Sequence, residues 1–216
     1  MPVAAVRPLV PAVLEVERHE GHAWITLIPF LIAESRPAWL PRVLASAFLE
    51  TNLRTYVRGP DGEHGIYFFS LEAESLPAVA AARLLYGLPY FFAAMSRRVA
   101  DGRIVYASRR RDGRRADLEV TWTIGEPTGV AVPGTRDHFL VERYHLYVMR
   151  RGRLHRGRVR HAPYPLRAAS IENLSESLLA AAGLPAPEGL PLCHHSPGVD
   201  VEILGLRPVL PGLSGA

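Results

Sequence analysis

Apolar and polar residues alternate with a period of two along much of this 216-residue chain, and tight-turn clusters break the alternation far more often than helical stretches do. A hairpin is expected from the strands Ala12 to Glu17 and Ala23 to Phe30 around Glu20-Gly21-His22, with Trp24, Thr26 and Ile28 on one face of the second. Arg36 to Pro41, holding two prolines and a tryptophan, punctuates the chain before a long strand from Ala47 to Val57. Gly59-Pro60-Asp61-Gly62 then reverses it into Gly65 to Leu71, and these two strands should pair. Ser75, Pro77, the apolar run Ala78 to Leu85 and the stop at Gly87 predict a helix. A meander follows, Tyr90 to Arg98, Ile104 to Arg110 and Ala116 to Ile124, joined at Asp101-Gly102 and Asp112-Gly113. Thr135 caps a short helix through Leu140, and Tyr144 to Met149 with Leu154 to Arg160 forms a hairpin around Arg151-Gly152. A helix from Ile171 to Ala182 and a strand from Val199 to Leu204 complete the reading. Roughly nine or ten strands without regular helix alternation predict an α+β fold, a barrel-like antiparallel β-sheet with a few flanking helices. One domain over residues 1–207 and a flexible tail over 208–216 are expected.

Composition narrows the chemistry. All 25 Lys+Arg residues are arginine, so no step can use a lysine amine. Arginine offers a rigid donor fork for carboxylates and phosphates but is a poor nucleophile or base. The apolar run at Ala78 is far shorter than a membrane-spanning helix of ~20 residues, and Met1 to Val10 lacks a secretory leader pattern, so a cytoplasmic location without a membrane partner is expected. Cys193 stands alone, which excludes an intrachain disulfide and reads as a small buried hydrophobe.

Alternation places Glu50, Asn52, Arg54 and Tyr56 on one strand face and Thr51, Leu53 and Thr55 on the other. Two readings fit the polar row. Facing inward, it makes a polar cavity in which Arg54 holds a carboxylate and Glu50 moves protons; facing outward, it is an ordinary solvated surface. Arg83 and Tyr90 flank the helix stop and either face the same cavity or pack as a snorkelling arginine and an ordinary aromatic. Glu142, Arg143, Tyr144 and His145 carry useful side chains at a helix-to-strand junction, Arg143 and His145 on one face. His194-His195 beside Cys193, with His161, is the densest metal-type cluster, but the spacing of a metal motif is absent and no metal or other cofactor is expected. The arginine runs fall at hairpin ends and lack interleaved stacking aromatics, so nucleic acid is not an expected partner. Phosphate-binding glycine loops, the nucleophile elbow and the dinucleotide fingerprint are also missing.

Three stretches, Phe48 to Val57, Gly65 to Leu71 and Ala82 to Tyr90, together with His138 to Tyr144, His161 to Leu166 and His195 to Asp200, closely resemble the uncharacterised YqjF-like bacterial family, over roughly Val6 to Ile203. That family looks like a branch of the acetoacetate decarboxylase-like superfamily, which implies a barrel-like antiparallel sheet around an internal cavity. In the decarboxylases a Gly-Phe-Pro-Lys-Lys segment supplies the Schiff-base lysine and its neighbour. Gly87-Leu88-Pro89-Tyr90-Phe91 resembles that segment with Tyr90 and Phe91 in place of the lysines. The resemblance also matches Glu50 to a cavity carboxylate and Arg83 to the arginine of a Gly-Arg-Glu stretch. Family members begin with a further segment before Arg-Pro-Leu-Val-Pro, which here lies at Arg7 to Pro11. The expected ligand is a small carboxylic acid held by Asn52, Arg54, Arg83 and Arg143, with Glu50, Tyr90 and His195 as acid–base candidates. The alternative is a non-catalytic binding or structural module in which Glu50, Arg54 and Arg83 form a buried salt-bridge network that sets the barrel register.

Overall fold

The long strand expected from Ala47 forms, and the rest of the sheet is arranged around it. The computed structural model describes residues 1–35 and 46–209. In chain order these hold α1 (Val3–Val6), a 3-10 turn (Arg7–Leu9), β1 (Glu15–Val16), β2 (Ile25–Ser35), β3 (Ser46–Arg58) and β4 (His64–Ala73). Next come α2 (Leu76–Ala81), a π turn (Ala82–Tyr86), β5 (Tyr90–Ala100), β6 (Arg103–Arg110) and β7 (Asp117–Gly129). The remainder is α3 (Arg136–Val141), β8 (His145–Arg150), β9 (Arg153–His161), β10 (Leu166–Glu176), α4 (Leu178–Ala181), β11 (His194–His195) and β12 (Val201–Pro208). The expected punctuation at Arg36 to Pro41 and most of the expected tail lie outside the described residues.

β3 pairs with β1 and β2 along one edge and with β4 along the other. It is buried from both sides. Leu49, Leu53 and Val57 pack with Ile104 and Tyr106 of β6, Leu118, Val120 and Trp122 of β7, and the α4 leucines Leu178 and Leu179. Tyr56, on the other face, packs with Ile66 and Leu71 of β4, Leu88, Leu140 of α3, and Leu146 and Val148 of β8. Such double-sided burial is possible because the sheet curls back on itself without closing, so that β6 and β7 cover what β3 exposes. The N-terminal segment seals the first cluster with Val6, Val10 and Leu14, and the Arg7 guanidinium donates to the carbonyls of Val10, Pro11 and Leu14.

β4 is the branch point. One edge follows β3 throughout; the other meets β5 in parallel at Leu71–Ala73 and β8 in parallel at Ile66–Tyr67. The expected antiparallel sheet therefore forms, with parallel pairing only at these two contacts among the described residues. A parallel neighbour needs a crossover, and α2 with the π turn supplies it between β4 and β5. Ser75 caps that helix, its hydroxyl accepting from Ala78 N–H at 3.4 Å, and Gly87 ends it at φ 69°.

Two further expectations are corrected. The strands around Glu20-Gly21 do not form a hairpin; they share one bridge, His19 to His22, and both pair with β3 instead. The helix expected from Ile171 is strand β10, and only Leu178–Ala181 is helical. The long open edge of β7 takes up the backbone groups from Leu166 to Glu176, so tertiary pairing overrides the helix propensity of that stretch.

Gly65 sits where β8 docks on β4: a Cβ there would lie 2.9 Å from the His145 carbonyl oxygen and 2.9 Å from Tyr147 Cε2. Gly65→Ala is expected to cost about 1–3 kcal/mol, because backbone and a buried ring must both shift. Urea denaturation of the variant checks this, and an unchanged midpoint would mean that the docking of β8 is looser than described.

Candidate functional site

The polar row on β3 points inward. Glu50 and Asn52 are buried, Arg54 is half-buried and Tyr56 is fully buried. The Tyr90 hydroxyl donates to Glu50 Oε2 at 2.9 Å, so β5 delivers a phenol onto the carboxyl that β3 carries. Tyr90 reaches it because its register partner on β4 is Leu71, itself opposite Asn52. Desolvation pushes the Glu50 carboxyl up to about 8, the Tyr90 hydrogen bond working the other way and the charge of Glu72 adding to the rise. The Tyr90 phenol is raised well above its ordinary range by burial and by Glu50.

The rest of the row is only partly satisfied. Arg54 donates from one terminal nitrogen to the Leu140 carbonyl at 3.0 Å, and its Nε–H has no partner among the described residues. Asn52 Oδ1 is likewise buried without a donor. The Tyr56 hydroxyl is shared between the Leu140 carbonyl at 2.9 Å and Thr26 Oγ1 at 2.5 Å. Each buried polar atom left alone costs about 1–3 kcal/mol, so this face carries unused hydrogen-bonding capacity.

Arg143 stands beside the row rather than in it. Its guanidinium lies over the Phe139 ring at 4.3 Å and the Tyr56 ring at 5.0 Å, and it donates to Glu17 Oε2 at 2.7 Å. Arg54 lies 5.8 Å from the same Tyr56 ring, so two guanidiniums flank one phenol, and among the described residues only Arg143 of the two has a carboxylate. Arg83 is exposed on the π turn, where its Nε donates to the Tyr90 carbonyl at 2.6 Å. It supports the Tyr90 backbone from outside. Glu50, Arg54 and Arg83 make no ion pairs with one another among the described residues, so the row is not the Glu–Arg network weighed above.

His195 belongs to another part of the sheet, opposite Arg167 on β10 and 6.5 Å from Trp122. Burial, with Arg97 and Arg167 nearby, lowers its pKa. Its neighbour His194 faces Asp137 at 3.5 Å. Among the described residues no three His, Cys, Asp or Glu side chains converge as a metal site. Several hairpin-end arginines meet surface carboxylates: Arg103 with Glu172 at 2.7 Å, Arg156 with Asp61 at 2.7 Å and Arg160 with Glu202 at 3.3 Å.

Sequence reasoning missed a second polar cluster on the opposite face. Glu72 is fully buried and pairs with Arg110, while Ser70 Oγ donates to it at 3.3 Å. The Arg110 guanidinium lies over Phe91, its Cζ 3.7 Å from the ring centre. Alternation held the signal: Ser108 and Arg110 continue the inward phase of Ile104 and Tyr106. A cavity of about 360 Å³ opens beside this cluster, in the gap that β4 leaves between β5 and β8.

The model of a family described as an uncharacterized conserved protein, DUF2071, matches residues 1–200. The chain belongs to this family. Uncharacterized protein YqjF of Bacillus subtilis (strain 168) is 37% identical over 206 residues, 95% of this chain and 85% of YqjF. Among solved structures, acetoacetate decarboxylase from Legionella pneumophila subsp. pneumophila str. Philadelphia 1 superposes with a TM-score of 0.60 at 13% identity, covering 97% of this chain and 81% of that one. The enduracididine biosynthesis enzyme MppR complexed with pyruvate gives 0.60 at 17% identity, covering 95% and 83%. An acetoacetate decarboxylase-like enzyme from Sphingomonas wittichii RW1 gives 0.57 at 15% identity, covering 96% and 86%. At these identities the likeness establishes the fold: this DUF2071 chain has the acetoacetate decarboxylase-like architecture. No helix among its described residues is long and apolar enough to cross a membrane.

Glu50 makes stability depend on pH. Its folded-state pKa is about 8 against an ordinary 4.5, so between those values the native state holds a proton that the unfolded chain has lost. Stability therefore falls as pH rises through that window. Glu50→Gln, neutral throughout, is expected to flatten this part of the profile, and Tyr90→Phe to extend the fall to higher pH by removing a hydrogen bond that favours the carboxylate. Denaturant midpoints across the pH range measure both; identical profiles for wild type and Glu50→Gln would refute the assignment.

Proposed function

We propose that this protein binds a small organic acid on the Glu50–Asn52–Arg54 face of β3, with Arg54 receiving the carboxylate and the Glu50–Tyr90 pair beside it able to exchange a proton. The observation that carries the reading is the incomplete satisfaction of this face: Arg54 Nε and Asn52 Oδ1 are buried without partners among the described residues, one a donor and the other an acceptor. A carboxylate meets the first; a hydroxyl or an acid proton meets the second. Arg54 finds no carboxylate among the described residues, whereas Arg143 has Glu17. A carboxyl with a pKa near neutrality is the form a general acid takes at physiological pH. A sequence without lysine excludes decarboxylation through a lysine Schiff base.

The fold relative complexed with pyruvate makes small 2-oxo acids the first probes. Native mass spectrometry of gently purified protein should reveal a bound acid, and a thermal-shift panel of 2-oxo, hydroxy and unsaturated carboxylic acids should give a stabilisation that Arg54→Ala loses while remaining folded. No bound species and no shift anywhere on the panel would overturn the reading. An Arg54→Ala variant that melts far below wild type, with wild type indifferent to every acid, would instead mark the face as structural.

A further inference from the structure

We propose that the cavity in the fork of β4 is a second ligand site, separate from the Glu50 face, and that it takes a small aromatic carboxylate. The fork creates the space. Between its parallel contacts with β5 and β8, the outer edge of β4 at Phe68, Phe69 and Ser70 has no strand beside it among the described residues. The resulting cavity of about 360 Å³ lies at the small end of the ~300–1,000 Å³ common for ligand pockets.

Its lining divides by chemistry. Tyr67, Phe69 and Phe91 present aromatic surface, with Tyr67 and Phe69 set edge to face at 5.9 Å. Arg110 and Arg114 contribute the cationic part. Arg110 is the built-in anchor. Its side chain is 4% exposed, it is fixed by Glu72 and by stacking on Phe91, and its Nε–H still lacks an acceptor. Arg114 sits exposed at the mouth and its guanidinium makes no ion pair among the described residues. With the Arg110 charge balanced by Glu72, one positive charge remains uncompensated, which suits a monoanion. A flat ring fits between the aromatic walls, and a carboxylate can accept from Arg110 inside and Arg114 at the rim.

This site is independent of the one proposed above. Phe91 and Glu72 are register partners, as are Glu72 and Thr51, which puts them on the β3–β4–β5 face opposite Glu50 and Tyr90. The two sites can therefore be tested apart. Isothermal titration with benzoate, and with acetate as the ring-free control, would be run on wild type, Arg114→Ala, Ala181→Phe and Arg54→Ala. Ala181 lines the cavity from α4 and is exposed, so a larger side chain there blocks the space without disturbing the core. Benzoate is expected to bind wild type and Arg54→Ala equally, about tenfold or more weakly to Arg114→Ala and not measurably to Ala181→Phe, with acetate silent. No benzoate heat with wild type would overturn the proposal. So would equal binding of acetate and benzoate, or benzoate binding that Arg54→Ala abolishes and Ala181→Phe leaves intact.

Discussion

A strand buried on both faces that nevertheless carries Glu50, Thr51, Asn52 and Arg54 is the constraint on which this structure turns. A purely apolar β3 would satisfy the packing, since Leu49, Leu53 and Val57 already anchor one face and Tyr56 the other. The polar residues need partners brought to them from distant parts of the chain: Tyr106 of β6 for Thr51 at 3.1 Å, Tyr90 of β5 for Glu50, and the end of α3 for Arg54 and Tyr56. These contacts specify which strand lies over which, in addition to stabilising them. The supply of partners fails at Asn52 Oδ1 and Arg54 Nε, which are buried without one among the described residues, and the proposed acid would complete them.

The fork in β4 follows from the same curl. To cover both faces of β3, the sheet must leave β4 in two directions, towards β5 at one end and β8 at the other. Gly65 permits the close approach at the β8 end, and the Ser75-capped crossover sets the parallel approach of β5. Divergence of two strands from one edge leaves a wedge that backbone cannot fill. Side chains fill part of it, and Arg110, held from behind by its pair with the buried Glu72, forms part of its wall. Breaking such a pair strands a charge, so the wall is held more firmly than a surface ion pair would hold it.

Local signals made most strands legible. Asp101-Gly102 and Arg151-Gly152 place positive φ where hairpins need it, at Asp101 (51°) and Arg151 (50°) as well as at both glycines, and both hairpins form where the turns predict them. The Glu50 row was legible as a row, because period two survives in β3 through Tyr56. What covers it was not, since the partners come from α3, β5 and β6, far away in sequence. β10 was misread for a related reason: Glu172 to Ala182 has helical composition, and only the open edge of β7 makes a strand of its first part. The branching of β4 leaves no local signal at all, because an edge shared by two parallel strands reads like any other amphipathic strand.

Tyr90-Phe91 shows how one dipeptide serves two faces. Neighbouring strand residues point to opposite sides, so Tyr90 meets Glu50 while Phe91 lies under Arg110. If the resemblance of Gly87-Leu88-Pro89-Tyr90-Phe91 to the lysine-bearing segment of the decarboxylases holds position by position, the two lysines have been replaced in different ways. On one face an amine that would have to be kept neutral gives way to a phenol, and the adjoining carboxyl is instead the group kept neutral, by burial. On the other face a cation gives way to a ring, and the positive charge is supplied by Arg110 lying upon it. In this chain a phenol faces Glu50 and a guanidinium stands beside the fork, neither of them a lysine.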